Sequence, residues 1–146
     1  MEIPVGKTRE EIKAREKIIK DFYAGWIADN PSKSILNKSL NVLIKVKGIS
    51  INETYEHAAR SYESTKEVLN LTEILSEAKL ISIGPHKAND KNQKSFSRIL
   101  VMRHKNVRLV VGFQPSLGDY VQYSITSTSS NMPNKERTSR KKRRKK

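Results

Sequence analysis

Between Phe96 and Thr126, three short apolar stretches are separated by two turn sequences, and this spacing commits the second half of the chain to a sheet. Phe96 to Met102 is the first stretch, Val107 to Phe113 the second and Tyr120 to Thr126 the third. Arg103-His104-Lys105-Asn106 and Pro115-Ser116-Leu117-Gly118-Asp119 have the composition of turns. The third stretch alternates cleanly: with Val121, Tyr123 and Ile125 inward, Gln122, Ser124 and Thr126 face outward. Upstream, Leu80-Ile81-Ser82-Ile83 reads as a further strand that Gly84-Pro85 ends. A meander of about four antiparallel strands has one apolar face, and that face needs a cover.

The first half of the chain supplies helices for it. Thr8-Arg9-Glu10-Glu11 has the form of a capping box. Ile12, Ile18-Ile19, Phe22-Tyr23 and Trp26-Ile27 then recur at three- to four-residue spacing, and Asn30-Pro31 stops the pattern, which predicts a helix over residues 9–28. Trp26, on the apolar stripe, fits a core or docking role better than base stacking. Pro31 to Ser39 is a polar connection with room for a short turn of helix, and Asn41 to Val46 reads as a strand. Ser50 or Asn52 caps a second helix that includes residues 53–66, and a third follows in which Val68, Leu69, Leu71, Ile74, Leu75, Ala78 and Leu80 repeat at helical spacing, with Thr72 as a candidate start. The fold class is α+β: N-terminal helices packed on a roughly four-stranded antiparallel sheet, followed by a disordered basic tail. The divisions are 1–30 (amphipathic helix), 31–127 (α+β domain) and 128–146 (polybasic tail).

Charge points to the partner. The chain carries +14, of which nine basic residues and one acidic residue from Asn131 onward supply +8, leaving +6 on the body. The run Arg140-Lys141-Lys142-Arg143-Arg144-Lys145-Lys146 cannot bury itself and attracts polyanions. It has no leucines or aromatics to enter a bilayer, so nucleic acid is favoured over a membrane. Cysteine is absent, which excludes disulfides and thiolate zinc sites. Met1 to Gly6 contains no apolar signal segment, and no apolar run approaches the roughly 20 residues that span a bilayer. A soluble protein of the bacterial cytoplasm, with no cofactor, is expected.

Few residues have the chemistry for catalysis. His57, His86 and His104 match no metal-ligand spacing, and no nucleophile elbow or phosphate-binding glycine loop is present. On a continuous helix, Glu53, His57 and Arg60 share one face. Imidazole can move the protons of RNA cleavage, and guanidinium can hold charge on phosphoryl oxygens; the same face is also an ordinary solvated one with a salt link. The outward residues Ser124 and Thr126, the loop lysines Lys87, Lys91 and Lys94, and Arg103, Lys105 and Arg108 around one hairpin can each contact phosphate or merely face solvent.

Several segments carry a resemblance. These are Ile51-Asn52-Glu53-Thr54 with His57-Ala58, Ser61 to Thr65, Leu71 to Ala78, Pro85-His86-Lys87 leading to Gln93 to Phe96, Leu109 to Gly112, and Val121 to Thr126. In that order they resemble the phage-associated nuclease-like domains of the superfamily that groups barnase, EndoU, the nuclease colicins and RelE. The resemblance covers residues of about 40 to 127 and leaves out the first helix and the tail. It implies metal-independent endoribonuclease chemistry that leaves a cyclic phosphate, and so RNA rather than DNA as the nucleic-acid partner. By position it makes His57 the general acid or base, Ser124 and Thr126 its phosphate-contacting partners, and Lys87 the charge borne by the loop. Related domains without catalysis leave a second reading open, a nucleic-acid-binding module of a mobile element. A protein-docking role for the first helix is a third, and an immunity or phage protein is a further expected partner.

Overall fold

A computed structural model of the chain describes residues 2–86 and 88–128. The element order is α1 (Arg9–Asp29), β1 (Ser34–Asn37), β2 (Val42–Lys45), α2 (Gly48–Ala58), α3 (Tyr62–Val68), α4 (Leu71–Glu77), β3 (Lys79–Gly84), a 3-10 turn (Lys91–Gln93), β4 (Arg98–His104), β5 (Val107–Gln114) and β6 (Asp119–Ser127). The expected tail, with Arg140, Lys141, Lys142, Arg143 and Arg144, lies outside the described residues.

α1 begins as its sequence dictates. The Glu11 N–H donates to Thr8 Oγ1 at 3.2 Å, and the Thr8 N–H donates back to the Glu11 carboxylate at 3.4 Å. Ile19, Tyr23 and Trp26 form its buried stripe, and the Trp26 indole N–H donates to Thr72 Oγ1 at 2.9 Å. These residues share one core with Ile44, Leu71, Leu75, Met102, Leu109 and Ile125. Buried Arg15 ties α1 to the end of α2, its Nε donating to the Ala59 carbonyl at 2.7 Å and its Nη1 to the Pro4 carbonyl at 2.7 Å.

The helix expected through residues 53–66 is instead two helices. α2 starts early because the Ser50 hydroxyl accepts from the Lys47 N–H at 2.9 Å; Ser50 is inside the helix rather than before it. The chain breaks at Ala59 because Ser61 opens α3, its hydroxyl accepting from the Ser64 N–H at 3.1 Å.

Among the described residues the sheet has six strands, not about four, and it is mixed, in the order β1-β2-β6-β5-β4-β3. The meander β3 to β6 is antiparallel throughout, as expected, while β1 and β2 form a hairpin whose second strand joins β6 in parallel. Two facts hid this from the sequence. β1 is four residues long and ends in Asn37, a buried polar residue that caps α4 by donating to the Leu75 and Ala78 carbonyls at 2.8 and 2.9 Å. The parallel pairing joins Ile44 to Tyr120 and Lys45 to Val121, partners so distant in sequence that no local pattern announces them.

β2 accompanies β6 for only those two residues. Past Val121 the helices flank β6: the Gln122 side-chain Nε2 donates to Thr54 Oγ1 of α2 at 2.7 Å, and further along the Ser127 backbone N–H donates to Ser64 Oγ of α3 at 2.8 Å. A free backbone donor of the strand edge is thereby taken up by a helix.

Candidate nucleic-acid cleft

A single irregularity in β6 shapes the site. Val110 pairs with Ser124 and Val111 with Gln122, so Tyr123 is an extra residue, a β-bulge. Before the bulge, Gln122 faces the helices, where its Oε1 accepts from the Tyr23 hydroxyl at 2.7 Å. After it, Ile125 faces the helices and joins the main core. The uninterrupted alternation expected for this strand therefore fails. Val121 and Tyr123 pack with Phe96 and Val110 on the outer face, apart from Ile125. Gln122 is fully buried on the helix side, whereas Ser124 and Thr126 lie on the outer face.

That outer face holds a cleft of about 470 Å³. Its floor is a row of register partners, Ser82, Val101, Val110 and Ser124, one from each of β3, β4, β5 and β6. Asp90 and Gln93 wall it on the loop side, Arg108 and Thr126 stand at one end, and His57 reaches in from α2.

The His57 imidazole is set by its own helix. Its Nε2 lies 3.3 Å from Oε1 of Glu53, one turn back. A carboxylate can only accept, so the proton of this bond is on Nε2, and Nδ1 is the nitrogen left to exchange a proton with a ligand. The Glu53 side chain is 5% exposed and that of His57 43%, so an inner acid orients an outer base. The Tyr123 hydroxyl donates to Asp90 Oδ2 at 2.9 Å. Burial, followed by the Asp90 and Glu53 carboxylates beside it, pushes the Tyr123 phenol far above its ordinary range, and it stays protonated.

The residues singled out in the sequence separate in space. His57, Ser124 and Thr126 line the one cleft, and Arg108 joins them. Arg60 does not share a helix face with His57, because α2 ends at Ala58 and Arg60 lies exposed in the turn beyond. Arg103 is on the outer face, in register with Arg108. Lys105 turns away, with a left-handed backbone (φ 54°) and its ammonium 3.5 Å from Glu73 of α4. His104 is also drawn to Glu73, at 2.6 Å. Lys87 lies outside the described residues. Sequence reasoning placed Tyr123 inward and missed Asp90, Gln93 and Ser82 as cleft residues; the bulge brings in Tyr123, the strand register Ser82, and the connection between β3 and β4 carries Asp90 and Gln93.

A family model described as large polyvalent protein-associated domain 3 matches residues 14–112, from α1 through most of β5. It takes in the first helix, which the nuclease-like resemblance left out, and stops before β6. No curated protein and no solved structure matches the chain.

Proposed function

For this chain, which belongs to the large polyvalent protein-associated domain 3 family and so to a group that suggests phage association, we propose metal-independent cleavage of RNA at the outer-face cleft. The observation that carries the reading is the convergence of His57, oriented by Glu53, with Ser124, Thr126 and Arg108 around one space. In this reading His57 Nδ1 takes the proton of a ribose 2′-hydroxyl, whose oxygen attacks the adjacent phosphorus. The bond to the 5′-oxygen breaks, a proton from the imidazolium or water completes the leaving hydroxyl, and a 2′,3′-cyclic phosphate remains. Arg108 stabilises charge on the phosphoryl oxygens, and the hydroxyls of Ser124 and Thr126 position them.

The test is RNA incubated with the protein in EDTA across a pH series, with His57→Ala beside the wild type. Wild type is expected to cut and to leave cyclic ends. His57→Ala is expected to lose about 10²- to 10⁴-fold in rate while keeping its RNA affinity. Absence of cleavage at every pH would sink the catalytic assignment. A second reading, a non-catalytic nucleic-acid-binding module, draws on one observation: among the described residues a single imidazole lines the cleft, and the phenol beside it is held protonated. It predicts salt-dependent RNA binding without scission.

No helix among the described residues is long and apolar enough to cross a membrane. The nucleic-acid assignment rests on the cleft and on charge. In the same reading an immunity or phage protein would act by covering the cleft mouth.

A further inference from the structure

Next to the cleft floor, one step along the strands, lies a second row of register partners. Lys79 of β3 stands opposite Arg103 of β4, Arg103 opposite Arg108 of β5, and Arg108 opposite Thr126 of β6. Directly opposed residues on neighbouring strands point to the same side of a sheet, so three cations stand shoulder to shoulder on the outer face. All three are exposed. Like charges in this arrangement repel, and a sheet serving only stability would intersperse acids.

None of the three has an acidic partner among the described residues, although Lys17, Lys38, Lys45, Lys47 and Lys105 each have one. Among the described residues, the side-chain hydrogen bond that engages a member of the row is from Arg103 Nε to the carbonyl of Lys105 at 3.1 Å, which steadies the guanidinium without neutralising it. Adjacent strands are about 4.8 Å apart, so the row from Lys79 to Thr126 spans roughly 14 Å. One end is the open edge of β3; the other is Thr126, a cleft residue.

We propose that Lys79, Arg103 and Arg108 form a phosphate track that carries a single-stranded nucleic acid across the strands into the cleft. The proposal deepens the cleft reading and rests on it for the strand's destination. Guanidinium groups take the oxygens of phosphates and carboxylates alike in pairs, so one feature favours nucleic acid over an acidic protein. The track leads to a nucleotide-sized pocket walled by an imidazole and hydroxyls, which a base enters only when it is unstacked, hence the single strand.

The experiment uses the full chain and two uncleavable probes, a 2′-O-methyl decauridylate and a 2′-O-methyl uridine dinucleotide, followed by fluorescence anisotropy over a salt series. The variant is K79Q/R103Q, which leaves every cleft-lining residue in place. The decamer is expected to bind about tenfold more weakly, with a salt slope shallower by about 1.4, two phosphates at about 0.7 each. The dinucleotide, which reaches only the cleft, is expected to bind as before. The variant's melting temperature is expected to be equal to or above that of the wild type, since a repulsion has been relieved.

Unchanged decamer binding would overturn the proposal, as would an equal loss for both probes. A lowered melting temperature would show that the row holds the hairpin instead. Polyglutamate bound as tightly as the decamer, and weakened by the same factor, would reassign the row to acidic proteins. Because neither probe can be cut, these outcomes do not depend on whether His57 supports cleavage.

Discussion

The two faces of the sheet are built on different terms. On the helix side, α1 and the three short helices bury Ile19, Tyr23, Leu71, Leu75, Met102, Leu109 and Ile125 in one continuous core. Most of its polar groups are tied off, Tyr23 to Gln122, Gln122 to Thr54 and Asn37 to the end of α4, while Nη2 of Arg15 is buried without a hydrogen-bond partner among the described residues. On the outer side, a small cluster of Phe96, Val110, Val121 and Tyr123 covers part of the sheet, and the rest is left as a cleft and a row of cations. Stability is concentrated on one face, which frees the other to hold groups that do not stabilise each other.

The largest effect should come from removing the cover. Deleting residues 1–30 takes Arg15, Ile19, Tyr23 and Trp26 out of the core. Several such side chains at about 2–5 kcal/mol each are comparable with the whole of the roughly 5–15 kcal/mol that holds a domain together. No cooperative melting transition is expected by circular dichroism. A folded truncation would show that the helix-side core does not depend on α1 and would restore the idea that the first helix is a docking arm.

A smaller effect is expected where the outer cluster meets the sheet. A methyl added at Gly112 would collide with the Phe96 ring. Gly112→Ala should therefore cost about 1–3 kcal/mol in urea denaturation, the usual penalty of overpacking. If the small outer cluster yields more readily than the helix-side core, the value will lie at the low end.

The smallest effect is electrostatic. Hydrogen bonds from Lys45 and then Lys47, each at 2.8 Å, hold the Asp119 carboxyl below its ordinary 3.8. A depressed carboxylate adds stability above its unfolded pKa and loses it as pH falls through the folded one. Stability should thus decline below about pH 4, with a weaker decline in Asp119→Asn, measured by urea midpoints between pH 6 and 2.

What was legible in the sequence follows the range of the interaction. The capping box at Thr8 and Glu11, the α1 stripe and the antiparallel meander are set by neighbours a few residues apart, and each could be read. The Glu53 and His57 pair was legible for the same reason, being one helical turn apart. Arg60 was misplaced because a helix end depends on Ser61 capping the next helix and on Arg15 bonding the Ala59 carbonyl from α1. The parallel strand pair and the cation row depend on register between distant segments, to which local periodicity is blind. Ser124 and Thr126 were read as outward and are so, but Gln122 was grouped with them because alternation was carried through a bulge.

Tyr123 has a peculiar standing as a consequence. It is the one residue of β6 that the ladder with β5 does not count. Excising it alone would close Gln122 onto Ser124 as regular neighbours, and every later side chain would keep its side. Excising Ile125 would turn Thr126 and Ser127 over. In the language of insertions and deletions, the sheet can spare Tyr123, whereas the cleft would lose the phenol that meets Asp90 and the ring that meets Phe96. A residue that the framework does not count marks where the strand has been lengthened for the sake of the pocket.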